Sequence, residues 1–335
     1  MRILELARTP AAAYAGLLLA QLGADVTAID LPETDLESNV SSYVNRHKRR
    51  VSLDLATRAG AHAFLELVRD VDGLVEDLGA KCLESRKLSV RRLRRYNAHL
   101  VVARISPFGQ TGPHAAWEAT ELVTQAMGGI VQSTGWEGEP PVKVAGPMAA
   151  FIAGLHAAIA LFAAIYGIRA GNEPGVAIDI SAQETFLQHW SRHIGQWVYS
   201  GAGQRRDRRT LDGQGVPSMA RAADGWLCLA VRNARWNTVA GLLGLEDFTT
   251  DEWQVPATRV ARWDEIAPRF ESSVASRTRD AWFGAAAEHG LIFGPVHDLH
   301  EVLASEQYAA RGYFEHVEID GEQVTSPGLP FRWEE

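Results

Sequence analysis

Apolar and polar residues alternate along this chain in two periods, and the switching between them outlines the architecture. Residues 3–6 form a short apolar run that predicts a strand. Residues 11–22 (AAAYAGLLLAQL) are strong helix formers closed by Gly23, and 25–30 (DVTAID) alternate into a second strand. The pattern then repeats: 51–55 predicts a strand, 59–68 a helix, 73–76 a strand, 90–96 a basic helix and 100–105 (LVVARI) a buried strand. Strands alternating with helices imply an α/β protein, with a mainly parallel sheet covered on both faces.

The pattern changes near residue 200. The polar, Gly- and Arg-rich stretch 201–215 (GAGQRRDRRTLDGQG) predicts a linker. Beyond it, Asp224 and Gly225 sit between two apolar runs, 219–222 and 226–231, as a hairpin signature. Helices are expected near 234–243, 262–275 and 279–289. A last hairpin is expected around Asp320 and Gly321, its strands returning to the first one. This divides the chain into a large domain over 1–200, completed by about 311–335, and a smaller α+β domain over 216–310.

One segment calls for a membrane test. Residues 149–168 carry only His156 and Tyr166 as polar side chains, over about the length of a spanning helix. The run is rich in Ala and Gly and has no second of its kind, so it is read as a helix buried within a soluble protein or between subunits. Glu5 and Arg8 interrupt the stretch that a secretory signal needs. No membrane partner is expected, and a cytoplasmic location is.

Composition narrows the chemistry. The 335 residues are 46% hydrophobic, enough for a large core, and the net charge of −8 argues against a nucleic-acid partner. Cys82 and Cys228 stand far apart without CxxC spacing, which argues against a disulfide framework or a cysteine zinc site and fits a reducing compartment. The first βα turn, ARTPAAAY, has no glycine, so the dinucleotide fingerprint is missing; Asp30 at the next strand end is read as a solvated acid. P-loop, HExxH, GxSxG and EF-hand patterns are also absent. His189 and His193 have the i, i+4 spacing of metal ligands but no recognisable third, so a structural pair beside Trp190 and Trp197 is expected and no metal. Three basic clusters, 46–50, 91–95 and 205–209, read as solvated faces. The alternative, for the two inside the α/β layer, is a hold on a phosphorylated ligand.

Several stretches go further: 8–30, 45–60 (NRHKRRVSLDLATRAG), 72–97, 105–115 (ISPFGQTGPHA), 134–144, 222–231 and 290–314. In this order they resemble the family III CoA-transferases, a group that also includes formyl-CoA and carnitine CoA-transferases and the α-methylacyl-CoA racemases. The resemblance covers most of the chain. It implies a Rossmann-like large domain, a small domain and two interlocked subunits, with the long apolar helix at the heart of that dimer. It also implies coenzyme A or acyl-CoA as a substrate, with no permanently bound cofactor.

Carried over residue by residue, the CoA contacts fall on Arg8 and Thr9, on Leu53, Asp54 and Leu55, and on Asp77, Leu78 and Gly79. Lys48, Arg49 and Arg86 are nearby cations suited to its phosphates. The loop that reads Asn-Phe-Arg/Gly-Pro-Gly in relatives is Asp77-Leu78-Gly79-Ala80-Lys81 here. The transferases of this family attack the thioester with an aspartate, and that position is Ala150. The racemases pair the aspartate with a histidine, whose position is Thr120, so racemase activity is not expected. Glu121 matches an acidic neighbour of the family's active centre. It is either the nucleophile or a structural acid that caps or pairs. Glu118 shares its face if the stretch is helical.

The chain ends at Glu335, where relatives continue, which suggests that a partner covers the exposed surface. Two functions follow: a transferase acting on an acyl-CoA and a small carboxylic acid, as a homodimer or with a related subunit, or a catalytically degenerate acyl-CoA-binding or structural subunit that works with an active partner.

Overall fold

The computed structural model describes residues 1–32, 34, 38–136, 138–171, 173–201, 215–319 and 321–333. Nearly all of the expected linker, the arginine cluster at 205–209 and Asp320 lie outside the described residues. The chain divides into two compact units, one of Met1–Gly135, Pro140–Gln204 and His316–Glu335, the other of Trp136–Glu139 and Arg205–Glu315.

The first unit is built on six parallel strands, β1 (Arg2–Leu6), β2 (Asp25–Asp30), β3 (Arg49–Ser52), β4 (Gly73–Glu76), β5 (Val101–Ser106) and β6 (Ala177–Ser181), in the order β3-β2-β1-β4-β5-β6. Leu4 pairs with Thr27 on one side and Leu74 on the other, so the strand order reverses between β1 and β4. Its helices are α1 (Pro10–Gln21), α2 (Ser38–Val44), α3 (Arg58–Val68), α4 (Cys82–Ser85), α5 (Val90–Tyr96), α6 (Glu121–Met127), α7 (Ile130–Ser133), α8 (Met148–Gly171), α9 (Ala182–Gln188) and α10 (Ser191–Ser200). Alternation along the strands sends Ile3, Val75 and Ala103 to the face covered by α1 and α8, and Leu4, Leu74 and Val102 to the face covered by α3 and α5.

Helix α1 starts by rule: Thr9 caps it through its hydroxyl and Pro10 takes the first helical position. Helix α8 reaches α1 closely because position 154 is glycine; a β-carbon there would stand 2.4 Å from the Ala11 carbonyl oxygen. Tyr14 and Phe151 stack across the same contact at 4.3 Å. The apolar run at 149–168 is thus a helix whose inner side, including Ala153, Ala157 and Leu161, is buried, while Ile159, Phe162 and Tyr166 remain exposed. It is also the one described helix long and apolar enough to cross a membrane.

The second unit pairs β7 (Met219–Ala222), β8 (Gly225–Ala230) and β9 (Ile292–Pro295) antiparallel, in that order. Helices α11 (Trp236–Leu242), α12 (Pro256–Ala261), α13 (Trp263–Ala275), α14 (Arg279–Glu288), α15 (Leu299–Leu303) and α16 (Glu306–Arg311) accompany them. Its core is aromatic, with Trp236, Trp253, Trp263, Phe270 and Trp282 all buried.

Three expectations need correction. The strand expected at 51–55 instead begins at Arg49 and ends at Ser52, because β3 is an edge strand with all four residues exposed and offers no apolar alternation to read. The last strands, β10 (Phe314–Ile319) and β11 (Glu322–Pro327), pair with each other and do not return to β1. Position 189 closes α9 while His193 lies in α10, so the two histidines share no helix. His189 meets His156 edge to face at 5.3 Å, and His193 stacks on Trp190. No group of three potential metal ligands occurs among the described residues.

A candidate active site at the carboxyl ends of the strands

In an open parallel sheet, ligands bind beyond the carboxyl ends of the strands where the strand order reverses. The loops that leave β1, β3 and β4 at that edge carry Arg8 and Thr9, then Leu53, Asp54 and Leu55, then Asp77, Leu78 and Gly79. The fold therefore gathers these residues, 70 positions apart in sequence, along one edge.

Asp77 does something that the sequence did not suggest. Its buried carboxylate accepts the Arg8 amide at 2.6 Å, the Thr9 amide at 3.2 Å, the Thr9 hydroxyl at 2.7 Å and the Ala12 amide at 3.0 Å. Helix α1 would otherwise present these free N–H groups to an anion. Asp77 fills that place from inside the protein. Burial pushes its carboxyl up from the usual range, while those hydrogen bonds pull the other way. Leu78 is buried beside it, and Gly79 turns the chain with φ +95°.

The cations are distributed differently from the expectation of a phosphate hold. Lys48 is wholly buried, with Nζ 2.7 Å from Glu5 Oε2 and 2.7 Å from the Ala13 carbonyl oxygen. It is inside the molecule because β1 turns Glu5 toward α1, where only a cation can compensate a buried carboxylate. Arg49 grips Asp25 with two nitrogens at the start of β2, and Arg50 grips Asp30. Arg46 bonds Ser326 and the Pro327 carbonyl. The first basic cluster thus stitches the fold together. Arg86 follows α4, half-buried, and Arg8 reaches Glu118 at 3.3 Å.

The second part of the site is the start of α8. Near its far end, Arg169 bonds Asp72, which precedes β4, so the first turn of α8 faces the carboxyl edge. Thr120 caps α6 and sets Glu121 as its first residue. From there the Glu121 carboxylate accepts the Ala149 amide at 2.7 Å through Oε1 and the Ala150 amide at 3.2 Å through Oε2. Gln125, one turn on and buried, donates to Oε1 at 2.7 Å and accepts the Val144 amide at 2.9 Å. Sequence reasoning missed Gln125, although its i, i+4 spacing from Glu121 was a usable signal. Glu118 precedes α6, is 83% exposed, and has its own partner in Arg8, so the two acids share no helical face. A cavity of about 240 Å³ lies at the opposite edge, around Arg2, Asp72, Asn97 and Arg169, and none of the expected site residues lines it.

An acid at a helix start, on the carboxyl-edge side of a parallel sheet, suits acyl-group chemistry. The chain belongs to CoA-transferase family III, which it matches over residues 1–335. It is 28% identical to the succinate–glutarate CoA-transferase of Agrobacterium fabrum, across 98% of this chain and 87% of that protein. It is also 28% identical to the succinyl-CoA:(R)-benzylsuccinate CoA-transferase subunit BbsE of Thauera aromatica, across 96% and 85%. A solved CAIB/BAIF family protein from Brucella suis superposes with a TM-score of 0.87 at 25% identity, across 99% and 91%. The protein is a CoA-transferase of family III, and these likenesses give no indication of a racemase.

Proposed function

We propose that this chain transfers CoA between an acyl-CoA and a small carboxylic acid with Glu121 as its nucleophile. The observation that carries the reading is the Glu121 carboxylate lodged against the Ala149 and Ala150 amides; by the resemblance, position 150 is the one where the family's aspartate is expected. Oε1 is held by two donors, and Oε2 by one longer bond, which leaves it lone pairs for attack. Oε2 attacks the thioester carbonyl, the C–S bond breaks, and CoA thiolate leaves a mixed anhydride. The thiolate then attacks the glutamyl carbonyl, forming a glutamyl-CoA thioester and releasing the first acid. The incoming carboxylate and the same two steps in reverse produce the new acyl-CoA. CoA itself lies along the loops that hold Arg8, Thr9, residues 53–55 and residues 77–79. Lys48, its side chain buried against Glu5, supports this from within the fold, and Arg49, exposed and paired with Asp25, lies at the start of β3.

The partner is a second copy or a related subunit. Leu155, Ile159, Phe162 and Tyr166 recur every three or four residues along the exposed side of α8, an apolar seam of the kind that pairs helices. Ile159→Glu is expected to reduce the mass measured by light scattering to that of one chain; an unchanged mass argues against this seam. The setting is cytoplasmic, in keeping with Cys82 and Cys228 forming no disulfide.

The direct test supplies succinyl-CoA with glutarate and follows acyl exchange by mass spectrometry. The expected result is exchange, a CoA adduct on the peptide that contains Glu121, and loss of both in Glu121→Gln. Exchange that survives Glu121→Gln overturns the assignment. A second reading, an acyl-CoA-binding subunit that does no chemistry alone, is favoured by the three N–H groups on Glu121, which is also how a helix cap looks. Its signature is acyl-CoA binding without exchange, and exchange gained in Ala150→Asp.

A further inference from the structure

The loop between β4 and α4 is held in a shape that its own sequence opposes. Gly79 tolerates its φ of +95°, but Lys81 sits at φ +63°, a left-handed conformation that a side chain disfavours. Something must hold residues 78–81 there. Asp77 anchors the entrance of the loop to α1. On the other face of the sheet Glu76, fully buried, accepts the Leu78 amide at 2.9 Å through Oε2. Its Oε1 receives Arg104 Nε at 2.9 Å. Arg104 comes from β5 and is 11% exposed. Its two remaining nitrogens grip both oxygens of Glu84, in α4, at 3.0 Å each. One guanidinium therefore spans the acid that starts the loop and the acid on the helix that ends it.

We propose that Arg104, through Glu76 and Glu84, is a positioning residue that sets the affinity for CoA by clamping the loop at 77–81. A planar fork with three bonds fixes both distance and orientation, which a flexible lysine cannot do. The ordering is done before the ligand arrives, so binding is spared it. The inference rests on the reading above that this loop lines the CoA crevice.

The test titrates CoA into the wild-type protein, Glu84→Gln and Arg169→Gln, with hydrogen exchange measured over residues 78–86. Glu84 is 38% exposed, so its amide variant loosens the clamp without opening the core. Arg169→Gln removes an exposed ion pair at the opposite edge and serves as the control. The expected result for Glu84→Gln is CoA binding weakened at least fivefold, faster exchange at 78–81, and a raised KM for acyl-CoA with kcat retained. Arg104→Lys is expected to behave likewise. Unchanged affinity in Glu84→Gln, with wild-type protein binding CoA, overturns the clamp alone. Equal losses in Arg169→Gln assign the effect to general stability and also overturn it. Wild-type protein that binds no CoA overturns both the clamp and the reading beneath it.

Discussion

Replacing Gly16 by alanine inverts an ordinary rule. In the middle of a helix such as α1, Gly→Ala normally stabilises by about 1 kcal/mol, since alanine has less backbone freedom to lose. Here the added β-carbon would stand 1.8 Å from Glu5 Oε2, 3.0 Å from Glu5 Cδ and 3.2 Å from Lys48 Nζ. Glu5 has nowhere to retreat, being 1% exposed and packed between β1 and α1. The carboxylate must abandon its 2.7 Å bond to Lys48, leaving two buried charges apart. Breaking a buried pair in this way costs about 3–5 kcal/mol, so after the helix gain the net loss is about 2–4 kcal/mol. Hydrogen exchange over residues 10–21 reads this locally, independent of the second unit. Protection there should fall by a factor of about 30 or more. Shortening the acid in Glu5→Asp/Gly16→Ala should return part of it. Protection that rises in Gly16→Ala would refute the close packing of Glu5 beneath this helix.

Two further outcomes follow from the same structure. Burial pushes the Glu5 and Glu76 carboxyls up to about 7, from about 4.5 unfolded, so between these values the native state holds more protons than the unfolded state. Stability then falls as pH rises through the window, by up to about 1.4 kcal/mol per pH unit for each group, and levels off above 7. Denaturant titrations from pH 4.5 to 8 should show this slope, and Glu76→Gln should reduce it; an unchanged slope removes Glu76 from the explanation. Lys87, at φ +58°, pays for a left-handed backbone, so Lys87→Gly should stabilise by about 0.5 kcal/mol after the entropy of glycine is subtracted. A lower melting temperature in that variant contradicts the assigned strain.

Much of the fold was legible because its signals are local. The strands at 3–6, 25–30, 73–76 and 100–105 and the helices at 11–22 and 59–68 announce themselves through apolar periodicity and the residues that stop them. The start of edge strand β3 was misjudged by two residues because Arg49 and Arg50 pair through their backbone while their side chains seek Asp25 and Asp30. Strand β6 was not foreseen. The sequence AIDIS is short, and what makes it a strand is the open edge of β5.

The candidate site divides along the same line. Sequence alone determined the alternation of strands and helices, the likeness to one family over its whole length, and the presence of alanine at 150 and glutamate at 121. These depend on residue identity and near neighbours. Only the tertiary structure decided where the charges go. Lys48, one of five basic residues in a row at 46–50, has its side chain buried against an acid 43 positions away, and Asp77 caps a helix 65 positions earlier. Glu121 holds the start of a helix 28 positions later. Lys48 and Asp77 are charges whose burial is tolerable only beside a partner that the chain topology delivers, and for none of the three does a local pattern encode which partner that is.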